Sequence, residues 1–424
     1  MYLRRLKRSI RKLEHTVKAS NWFFRLISLM LIFRPSIFEK DSSHFLLAPT
    51  GNGNIGDQAM LDSLLNFLGT ECVLIVENKS KFKQLNNLSD QIEIVEIPNL
   101  IYGNFFWSII GIFHFLRVSN RMKTFSMIGA DVMDGHYNCR ASINRLVLLR
   151  FVNALKIDSR ITGFSWSQHA NPLTLKLLQS ISNSTQLYVR DPVSARRLRE
   201  SGLSSITEVT DLVFHDKTLS NFPDVEQWVS SSEKPIVLVN ISGLGLKAHN
   251  SFANHVSQYT YVVNFLRSNG YRILVAPHVF RKIDGDLEVS KLLFGGACTL
   301  EDFLIQEPFT PAQERHLLRH VSFVLTGRMH IAVMALSSGK PAIGVETMGK
   351  VKGLFDLFNL GDYCVERNED FGTNVVTRIE LLQTEYSKVC ASIDATLPEI
   401  RRKSALNFTG LLQDKELGSS REDN

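Results

Sequence analysis

The sequence predicts an α/β protein of two units, each built on a parallel β-sheet, with a cleft between them. Two series of short β-branched runs alternate with segments of helical pattern, from about residue 45 to about residue 346. This alternation is typical of parallel α/β layers, because a crossover between parallel strands leaves room for a helix. A polar stretch over 215–234, with Pro223 and a run of serines, predicts the linker between the two units.

The predicted strands are the short apolar runs of the two series. They are HFLLAPT, CVLIVE, IEIVEIP, FSMIG, RITGFSW, QLYVRD and TEVTDL in the first series, and PIVLVNIS, YRILVAPH, HVSFVLTG and PAIGVE in the second. After about residue 373 the pattern is helical, and the last residues have the composition of a frayed tail. We therefore predict a basic N-terminal segment over 1–40, α/β domains over 41–225 and 226–385, and a C-terminal helix and tail over 386–424.

Composition and charge exclude several classes of protein. With 44% hydrophobic and 21% charged residues, the chain is neither disordered nor collagen-like. Its five cysteines are widely spaced and form no CxxC pair, which predicts reduced thiols of a cytoplasmic protein and no zinc site. The net charge of +6 does not predict nucleic-acid binding, because ten basic and two acidic residues lie within 1–40 and leave the body slightly acidic.

The N-terminal segment predicts a membrane-surface helix. Arg and Lys occupy one face of its pattern, and the apolar residues on the other face are Leu3, Leu6, Ile10, Leu13 and Val17. The apolar stretch that follows is interrupted by Arg25 and is shorter than the roughly 20 residues that span a bilayer. Over residues 1–34 we therefore expect contact with an anionic membrane surface, with a basic helix docked on the body as the alternative and RNA binding as a third. The run FFWSIIGIFHFL predicts a core helix, with a second membrane-facing patch as its alternative.

A glycine-rich turn follows the first predicted strand. Gly51, Gly53 and Gly56 form G-x-G-x-x-G at a strand-to-helix junction, and Glu77 ends the next strand. This is the arrangement of a dinucleotide site, in which the acid reaches a ribose. However, Asp57 stands where an incoming pyrophosphate would bind, and acids also favour helix N-termini that bind no ligand. The turn therefore predicts a polar site that faces substrate hydroxyls, built from Asn52, Asn54 and Asp57, with a capped turn and a dinucleotide site as alternatives.

A second strand-to-helix junction carries an arginine and a histidine. The strand HVSFVLT ends at Thr326, Gly327 forms the turn, and a helix begins near Arg328 and ends at Gly339. Helix N-termini bind anions through free backbone N–H groups, and here Arg328 adds a cation. His330 lies beside it and can transfer a proton near neutral pH.

Further candidates lie at the carboxyl ends of other predicted strands. Arg190 ends the strand QLYVR, with a structural salt link to Asp191 as the alternative interpretation. Asp131 follows the strand FSMI, and His278 follows YRILVAP. Single Asp or His residues at strand ends, such as these two, are more often structural than catalytic.

Together these motifs resemble one family. GNGNIGDQAML, GADVMDG, YVRDPVSARRLRESG and TGRMHIAVMALSSGKPAIGVE occur in the order and spacing of the polysaccharide pyruvyl transferases, from about Leu46 to about Leu354. The resemblance implies two Rossmann-like domains in a glycosyltransferase-B-like arrangement, with the acceptor on 41–225 and the donor on 226–385. It also implies that pyruvate is transferred from phosphoenolpyruvate to two hydroxyls of a sugar, which gives a cyclic ketal and phosphate.

The resemblance assigns roles to particular residues. It implies that Arg190 and Arg328 bind phosphoenolpyruvate and that His330 is catalytic. Met329 stands where other members carry Leu or another apolar residue, and Ala130 where many carry Gly. Lys350 and Lys352 both compete for the place of a family lysine.

The chemistry of ketal formation completes the predicted site. Arg328 would stabilise the departing phosphate, His330 would move protons, and Asp57 would act as a base or anchor the acceptor hydroxyl. The other predicted substrate-binding residues are Asn52, Asn54, Asp131, Met329, Arg190 and His278. No metal and no cofactor are implied.

The expected partners are phosphoenolpyruvate and a glycan acceptor, either free or a lipid-linked oligosaccharide precursor of an exported polysaccharide. A lipid-linked acceptor would place the protein in the cytoplasm, peripherally on the inner face of the cytoplasmic membrane. Three alternatives are a nucleotide-sugar glycosyltransferase, a dinucleotide-dependent oxidoreductase and a non-catalytic scaffold in polysaccharide assembly.

Overall fold

The computed structural model describes residues 14–18, 20, 43–51, 53–80, 92–244, 252–281, 285–294, 301–346 and 350–411. The chain forms two compact units. Unit 1 comprises Met1–Pro49, Leu64–Val209 and Ala405–Asn424, and unit 2 comprises Thr50–Ser63 and Thr210–Ser404. The sequence predicts residues 50–63 in the first domain, whereas in the structure they pack with unit 2.

Unit 1 is built on a parallel sheet. Its strands are β1 (Ser43–Leu47), β2 (Cys72–Val76), β3 (Glu93–Glu96), β4 (Met122–Ala130), β5 (Asp158–Phe164), β6 (Thr185–Val189) and β7 (Thr207–Glu208). They are ordered β3-β2-β1-β4-β5-β6-β7, and every neighbouring pair is parallel. All five residues of β2 are buried, as expected for a strand with both faces covered by other elements.

The helices of the first half of the chain begin at recognisable caps. They are α1 (Ile55–Leu68), α2 (Phe105–Val118), α3 (Cys139–Ala154), α4 (Pro172–Ile181) and α5 (Pro192–Glu200). Asn104, Asn138, Asn171 and Asp191 each accept a hydrogen bond from a backbone amide in the first turn of α2 to α5. Such caps satisfy N–H groups that have no partner inside the helix.

Unit 2 is built on a second parallel sheet. Its strands are β8 (Ile236–Asn240), β9 (Arg272–Val275), β10 (Asp302–Leu304), β11 (Phe323–Thr326), β12 (Ala342–Glu346) and β13 (Cys364–Glu366). The order is β10-β9-β8-β11-β12-β13, with every neighbouring pair parallel. The sequence did not predict β10 and β13, which are three residues long. The strand order reverses between β8 and β11, which is where ligands bind in open α/β sheets.

The helices after the first sheet complete unit 2 and the C-terminal part of the chain. They are α6 (Pro223–Val229), α7 (Phe252–Ser268), α8 (Asp286–Phe294), α9 (Pro311–Leu318), α10 (Met329–Ser337), α11 (Lys350–Asp356) and α12 (Phe371–Ala405). Gly339 follows α10 with a φ of 72°, the left-handed conformation that favours glycine after a helix. The predicted arrangement of two parallel α/β domains is confirmed.

Only a short part of the predicted N-terminal segment is described. Residues 14–18 form a helical turn against unit 1, in which Val17 packs on the hydrophobic core. The helical pattern predicts that Lys18 lies on a basic side that faces solvent. In the structure Lys18 is buried instead. Burial lowers the pKa of the Lys18 amine to about 8. No helix among the described residues is long and apolar enough to cross a membrane.

Candidate functional site

The candidate site lies at the strand reversal of the unit 2 sheet. Strand β11 ends at Thr326, and α10 begins at Met329 with Arg328 in extended conformation as the residue before it. The Thr326 hydroxyl accepts a hydrogen bond from the Arg328 amide at 2.9 Å, which fixes the turn. No side chain of the described residues caps α10, so its first backbone N–H groups are available to an anion.

Arg328 is held rigidly by a buried carboxylate. Its Nη2 atom donates to Asp286 Oδ1 at 2.6 Å, and its Nε atom lies 3.2 Å and 3.3 Å from the two oxygens. The Asp286 side chain is fully buried, whereas 14% of the Arg328 side chain is exposed. Because Nε and Nη2 face Asp286, the pair fixes the direction of the guanidinium group, whose fork geometry suits a second anion.

Asp286 also binds three other groups. Its Oδ1 atom accepts from the Gly243 amide at 2.9 Å. Its Oδ2 atom accepts from the His278 amide and from Asn240 Nδ2, both at 3.1 Å. Asp286 therefore ties the loops after β8 and β9 to the start of α10. Sequence reasoning missed this residue, because an acid in the first turn of a helix is ordinary by itself.

His330 lies in the first turn of α10 and has two defined neighbours. Its Nε2 atom is 3.5 Å from Oδ2 of the buried Asp211, and Asp211 is fixed because Oδ1 accepts from the Val213 amide at 3.1 Å. The other side of the imidazole lies against Gly56, where an added Cβ atom would come within 2.3 Å of Nδ1. A carboxylate beside one ring nitrogen orients the imidazole. Asp211 was not predicted from the sequence.

Gly56 is required by this contact. Its φ is not in the left-handed region, so an alanine meets no backbone strain there, and the three atoms nearest to the added Cβ all belong to His330. We expect Gly56→Ala to displace the imidazole and to lower the rate of the reaction that the sequence predicts by about tenfold or more, because small misplacements of catalytic groups are costly. Steady-state kinetics of the purified variant measure this effect.

Gly353→Ala is the matched control for that substitution. A Cβ atom at Gly353 meets nothing within 4 Å, also without a left-handed φ, so this variant should retain the wild-type rate. A Gly56→Ala protein with full activity would show that the packing of His330 on Gly56 is unimportant.

The turn before α1 belongs to the same unit as His330. Phe280 donates its amide to the Gly53 carbonyl at 2.8 Å, Ile55 donates to the His278 carbonyl at 3.0 Å, and Asn54 pairs with Val279. The Asn54 side chain accepts from the Gly56 amide at 3.1 Å, as a helix cap does. The turn therefore positions Gly56 against His330.

Of the two other residues predicted for this turn, the structure describes only Asp57. Asp57 lies in the first turn of α1, is partly exposed and directly follows Gly56. Asn52 lies outside the described residues.

Glu77, the acid of the dinucleotide alternative, accepts hydrogen bonds from the backbone amides of Ile101 and Tyr102 at 2.6 Å and 3.0 Å. Its carboxylate therefore holds a backbone turn, which removes a support of that alternative.

The structure does not bring the His278 side chain to the surface. His278 Nδ1 lies 3.2 Å from Glu314 Oε2, and both side chains are buried. Only its backbone takes part in the network, through the amide on Asp286 and the carbonyl on Ile55. The predicted contact between the His278 side chain and substrate therefore finds no support in this position.

The remaining predicted residues of unit 1 lie at the carboxyl ends of β4 and β6. Arg190 Nη2 donates to Asp131 Oδ1 at 2.6 Å, and Nε donates to Ser165 Oγ at 2.8 Å. The ion pair of Arg190 is with Asp131, while Asp191 caps α5. Ala130 has a φ of 41°, a left-handed conformation that favours glycine.

The two candidate lysines lie at the start of α11. Lys352 is exposed, with its Nζ atom 3.4 Å from Asp356 Oδ1. Its amide donates to Glu346 Oε2 at 3.3 Å. Met329 is the first residue of α10 and is partly exposed. These contacts do not distinguish Lys352 as a ligand.

Comparisons of structure identify proteins with the same fold. A glycosyltransferase from Rickettsia africae is 12% identical, with a TM-score of 0.53, and the match covers 87% of this chain and 100% of that one. UGT89C1 from Arabidopsis thaliana, complexed with quercetin, is 13% identical, with a TM-score of 0.58 and coverage of 87% and 98%. UDP-GlcNAc 2-epimerase from Methanocaldococcus jannaschii is 12% identical, with a TM-score of 0.52 and coverage of 80% and 91%. At these identities the similarity establishes a glycosyltransferase-B-like fold alone.

Comparisons of sequence identify the family. No curated protein matches the chain. The family model for polysaccharide pyruvyl transferases matches residues 54–347, more than half of the chain. The match includes Gly56 at the start of α1, the Asp211 segment and the start of α10. The chain belongs to the polysaccharide pyruvyl transferase family.

Proposed function

We propose that the protein transfers pyruvate from phosphoenolpyruvate to two hydroxyls of a sugar, as a cyclic ketal, and releases phosphate. The acceptor would be a polysaccharide or its lipid-linked oligosaccharide precursor. One observation carries the proposal: in a chain of this family, a carboxylate-held arginine and a carboxylate-flanked histidine stand together at the start of one helix.

The start of α10 supplies what an anionic donor needs. Phosphoenolpyruvate carries a carboxylate and a phosphate, and the open amides of α10 together with Arg328 present donors to such groups. Asp286 balances the charge of Arg328, so the selectivity of this site depends on geometry as well as on charge. In the proposal Arg328 binds the phosphate and stabilises it as it departs.

His330 would move the protons. The methylene carbon of phosphoenolpyruvate gains a proton and becomes the methyl group, while two sugar oxygens form bonds to the adjacent carbon. The bond from that carbon to the phosphate oxygen breaks. Of the two protons lost by the hydroxyls, one balances the new C–H bond and one leaves with phosphate or solvent. A single imidazole beside Asp211 can accept the first and donate it onward.

Three other predicted residues remain part of the proposal. Asp57 is proposed as a second base or as the anchor of an acceptor hydroxyl, from its place directly after Gly56. Arg190 and Asp131 of unit 1 are proposed substrate-binding residues on the strength of the family motif.

An acceptor panel tests the proposed reaction directly. The purified protein is incubated with phosphoenolpyruvate and a broad set of glycans, and phosphate release and a ketal methyl signal in NMR spectra are measured. The expected result is both signals, in equal amounts, with at least one acceptor. Their joint absence across the panel would contradict the proposal.

A nucleotide-sugar glycosyltransferase is the second candidate, favoured by the fold shared with glycosyltransferases. This alternative predicts that a nucleoside diphosphate raises the melting temperature and that phosphoenolpyruvate does not. The pyruvyl transferase predicts that phosphoenolpyruvate raises it. The same thermal-shift experiment therefore distinguishes the two.

We also propose that the protein works at the inner face of the cytoplasmic membrane, held by its basic N-terminal segment. Replacing Arg4, Arg5, Lys7 and Arg8 by Gln should lower binding to anionic vesicles by about tenfold or more, because each basic residue near such a surface contributes about 1 kcal/mol. Co-sedimentation measures the bound fraction. Unchanged binding would contradict the proposed role of these charges.

Substitution is a sharper test than deletion of residues 1–34. Deletion would also remove Val17 from the core of unit 1 and Lys18 from its hydrogen bonds. A loss of binding would then have two explanations. The Gln variant leaves both contacts in place.

A further inference from the structure

Helix α2 has apolar residues on both of its faces. Its inner face buries Ser108, Gly111, Ile112, Phe115 and Leu116. Its outer face carries Phe106, of which 65% is exposed, and Trp107, of which 51% is exposed. A helix that is apolar all round is normally buried on all sides, in a protein core or a membrane. Here only one side is covered by the described residues.

The outer face continues along the helix. At 100° per residue, Ile110 and Phe113 fall on the same side as Phe106, and both are partly exposed. Part of the Phe113 side chain also packs on the core of unit 1. His114 and Arg117 are exposed on the same side toward the C-terminal end. We call Phe106, Trp107, Ile110, Phe113, His114 and Arg117 the outer face of α2. No acidic residue occurs anywhere in the helix.

The basic N-terminal segment reaches unit 1 beside this helix. The buried Lys18 amine donates to Ser108 on α2 and, at 3.0 Å, to Asn144 Oδ1 on α3. It also lies 5.4 Å from the centre of the Phe105 ring. A segment with ten basic residues over 1–40 is therefore attached to the helix that carries the exposed aromatic rings.

The composition of the outer face of α2 favours a lipid surface as its binding partner. Helices that lie in a membrane interface combine Trp, Phe and Leu on one side with Lys and Arg that face anionic headgroups. Trp is also enriched at the level of the headgroups, where its ring contacts both apolar and polar surroundings. The outer face of α2 supplies the aromatic part, and the attached segment together with Arg117 supplies the positive charge that complements anionic lipid.

We propose that the outer face of α2 is a membrane-docking surface, which inserts Phe106 and Trp107 into the interface of a bilayer that contains anionic lipids. The proposal rests on the membrane location proposed above and does not depend on the reaction. It adds an apolar contact on the folded body to the electrostatic contact of the N-terminal segment. The protein would then be held at the bilayer by two attachments on unit 1.

Vesicle co-sedimentation of the full-length protein tests this surface. Vesicles of phosphatidylcholine alone are compared with vesicles that also contain phosphatidylglycerol. The test variant carries Phe106→Ser and Trp107→Ser, which leaves every basic residue in place. Its matched control carries Tyr261→Ser and Leu292→Ser, whose side chains are exposed to 49% and 64% and lie in unit 2.

We expect wild type and control to bind the anionic vesicles equally. The test variant should bind at least about tenfold more weakly, because it no longer buries the apolar surface of two aromatic rings in the bilayer. Equal binding by the test variant would overturn the proposal, and so would the absence of wild-type binding. If the wild type instead self-associates in analytical ultracentrifugation through Phe106 and Trp107, and does not bind vesicles, the face is an interface between copies and the proposal is also overturned.

Brominated lipids provide an independent readout at one residue. In wild type, lipid with bromine atoms near the headgroup should quench part of the tryptophan fluorescence. Trp107→Phe keeps the apolar ring, so the variant should still bind vesicles but lose that quenched fraction. Because Trp22 lies in the N-terminal segment that is proposed to contact the same membrane, both proteins carry Trp22→Phe in this measurement. An unchanged quenched fraction in Trp107→Phe would then exclude insertion of Trp107. Neither experiment requires turnover, so failure of the docking proposal is distinguishable from failure of the proposed reaction.

Discussion

His330→Gln is expected to lower pyruvyl transfer by about 10²- to 10⁴-fold, the usual contribution of a positioned acid–base group. The imidazole lies in the first turn of α10, between the Asp211 carboxylate and Gly56. Glutamine has a similar reach and keeps polar atoms, but it does not exchange a proton near neutral pH. The effect should fall on kcat more than on KM, because the proposed role of His330 is in proton transfer and not in holding the donor.

Two measurements separate this loss from a loss of structure. The melting temperature of His330→Gln should stay close to that of wild type, since the histidine side chain is partly exposed and its Nε2 atom makes no hydrogen bond within the described residues. His320→Gln, at an exposed histidine of the same unit, should keep full activity. A His330→Gln protein that turns over at the wild-type rate would remove His330 from the mechanism.

Local sequence patterns predicted the architecture well. In each sheet, a strand whose residues are all buried, such as β2 or β8, is a nearly continuous apolar run in the sequence. Such a run is easily distinguished from the more polar residues before and after it. The short strands β10 and β13 were missed because three residues carry too little pattern to distinguish a strand from a loop. Such strands are defined by the neighbour with which they pair, and this information is not local.

The placement of residues 50–63 shows the same limit more clearly. This turn follows β1 directly in the chain, which favours assignment to the first domain. It packs with unit 2 because its backbone pairs with Val279 and Phe280, more than two hundred residues later. The glycines that resemble a phosphate-binding fingerprint also acquire another explanation, since Gly56 leaves room for His330.

The sequence predicted the two partly exposed residues of the site and missed the two buried carboxylates that contact them. Arg328 and His330 could be found because a strand, a turn and a helix start are visible in sequence. Asp286 and Asp211 could not, because an acid at the start of a helix is common and its partner is set by tertiary contacts. The available signal is chemical: a catalytic arginine or histidine is commonly oriented by a carboxylate.

Asp286→Ala is expected to lower the free energy of unfolding of unit 2 by about 3–5 kcal/mol, the range observed when one member of a buried charged pair is removed. The substitution would leave Arg328, the amides of Gly243 and His278, and Asn240 Nδ2 without their common acceptor. Chemical denaturation measures the effect. Glu288→Ala, at an exposed acid of the same helix, should change the free energy by no more than about 0.5 kcal/mol.

Asp286→Asn should be nearly as damaging, which distinguishes this network from a simple hydrogen bond. Oδ1 accepts from the Gly243 amide and Arg328 Nη2, and Oδ2 accepts from the His278 amide and Asn240 Nδ2. Whichever way an asparagine amide is turned, its NH₂ group faces two donors, and its charge no longer balances Arg328. Near-wild-type stability and transfer rate in Asp286→Asn would therefore show that Arg328 is held by something other than this carboxylate.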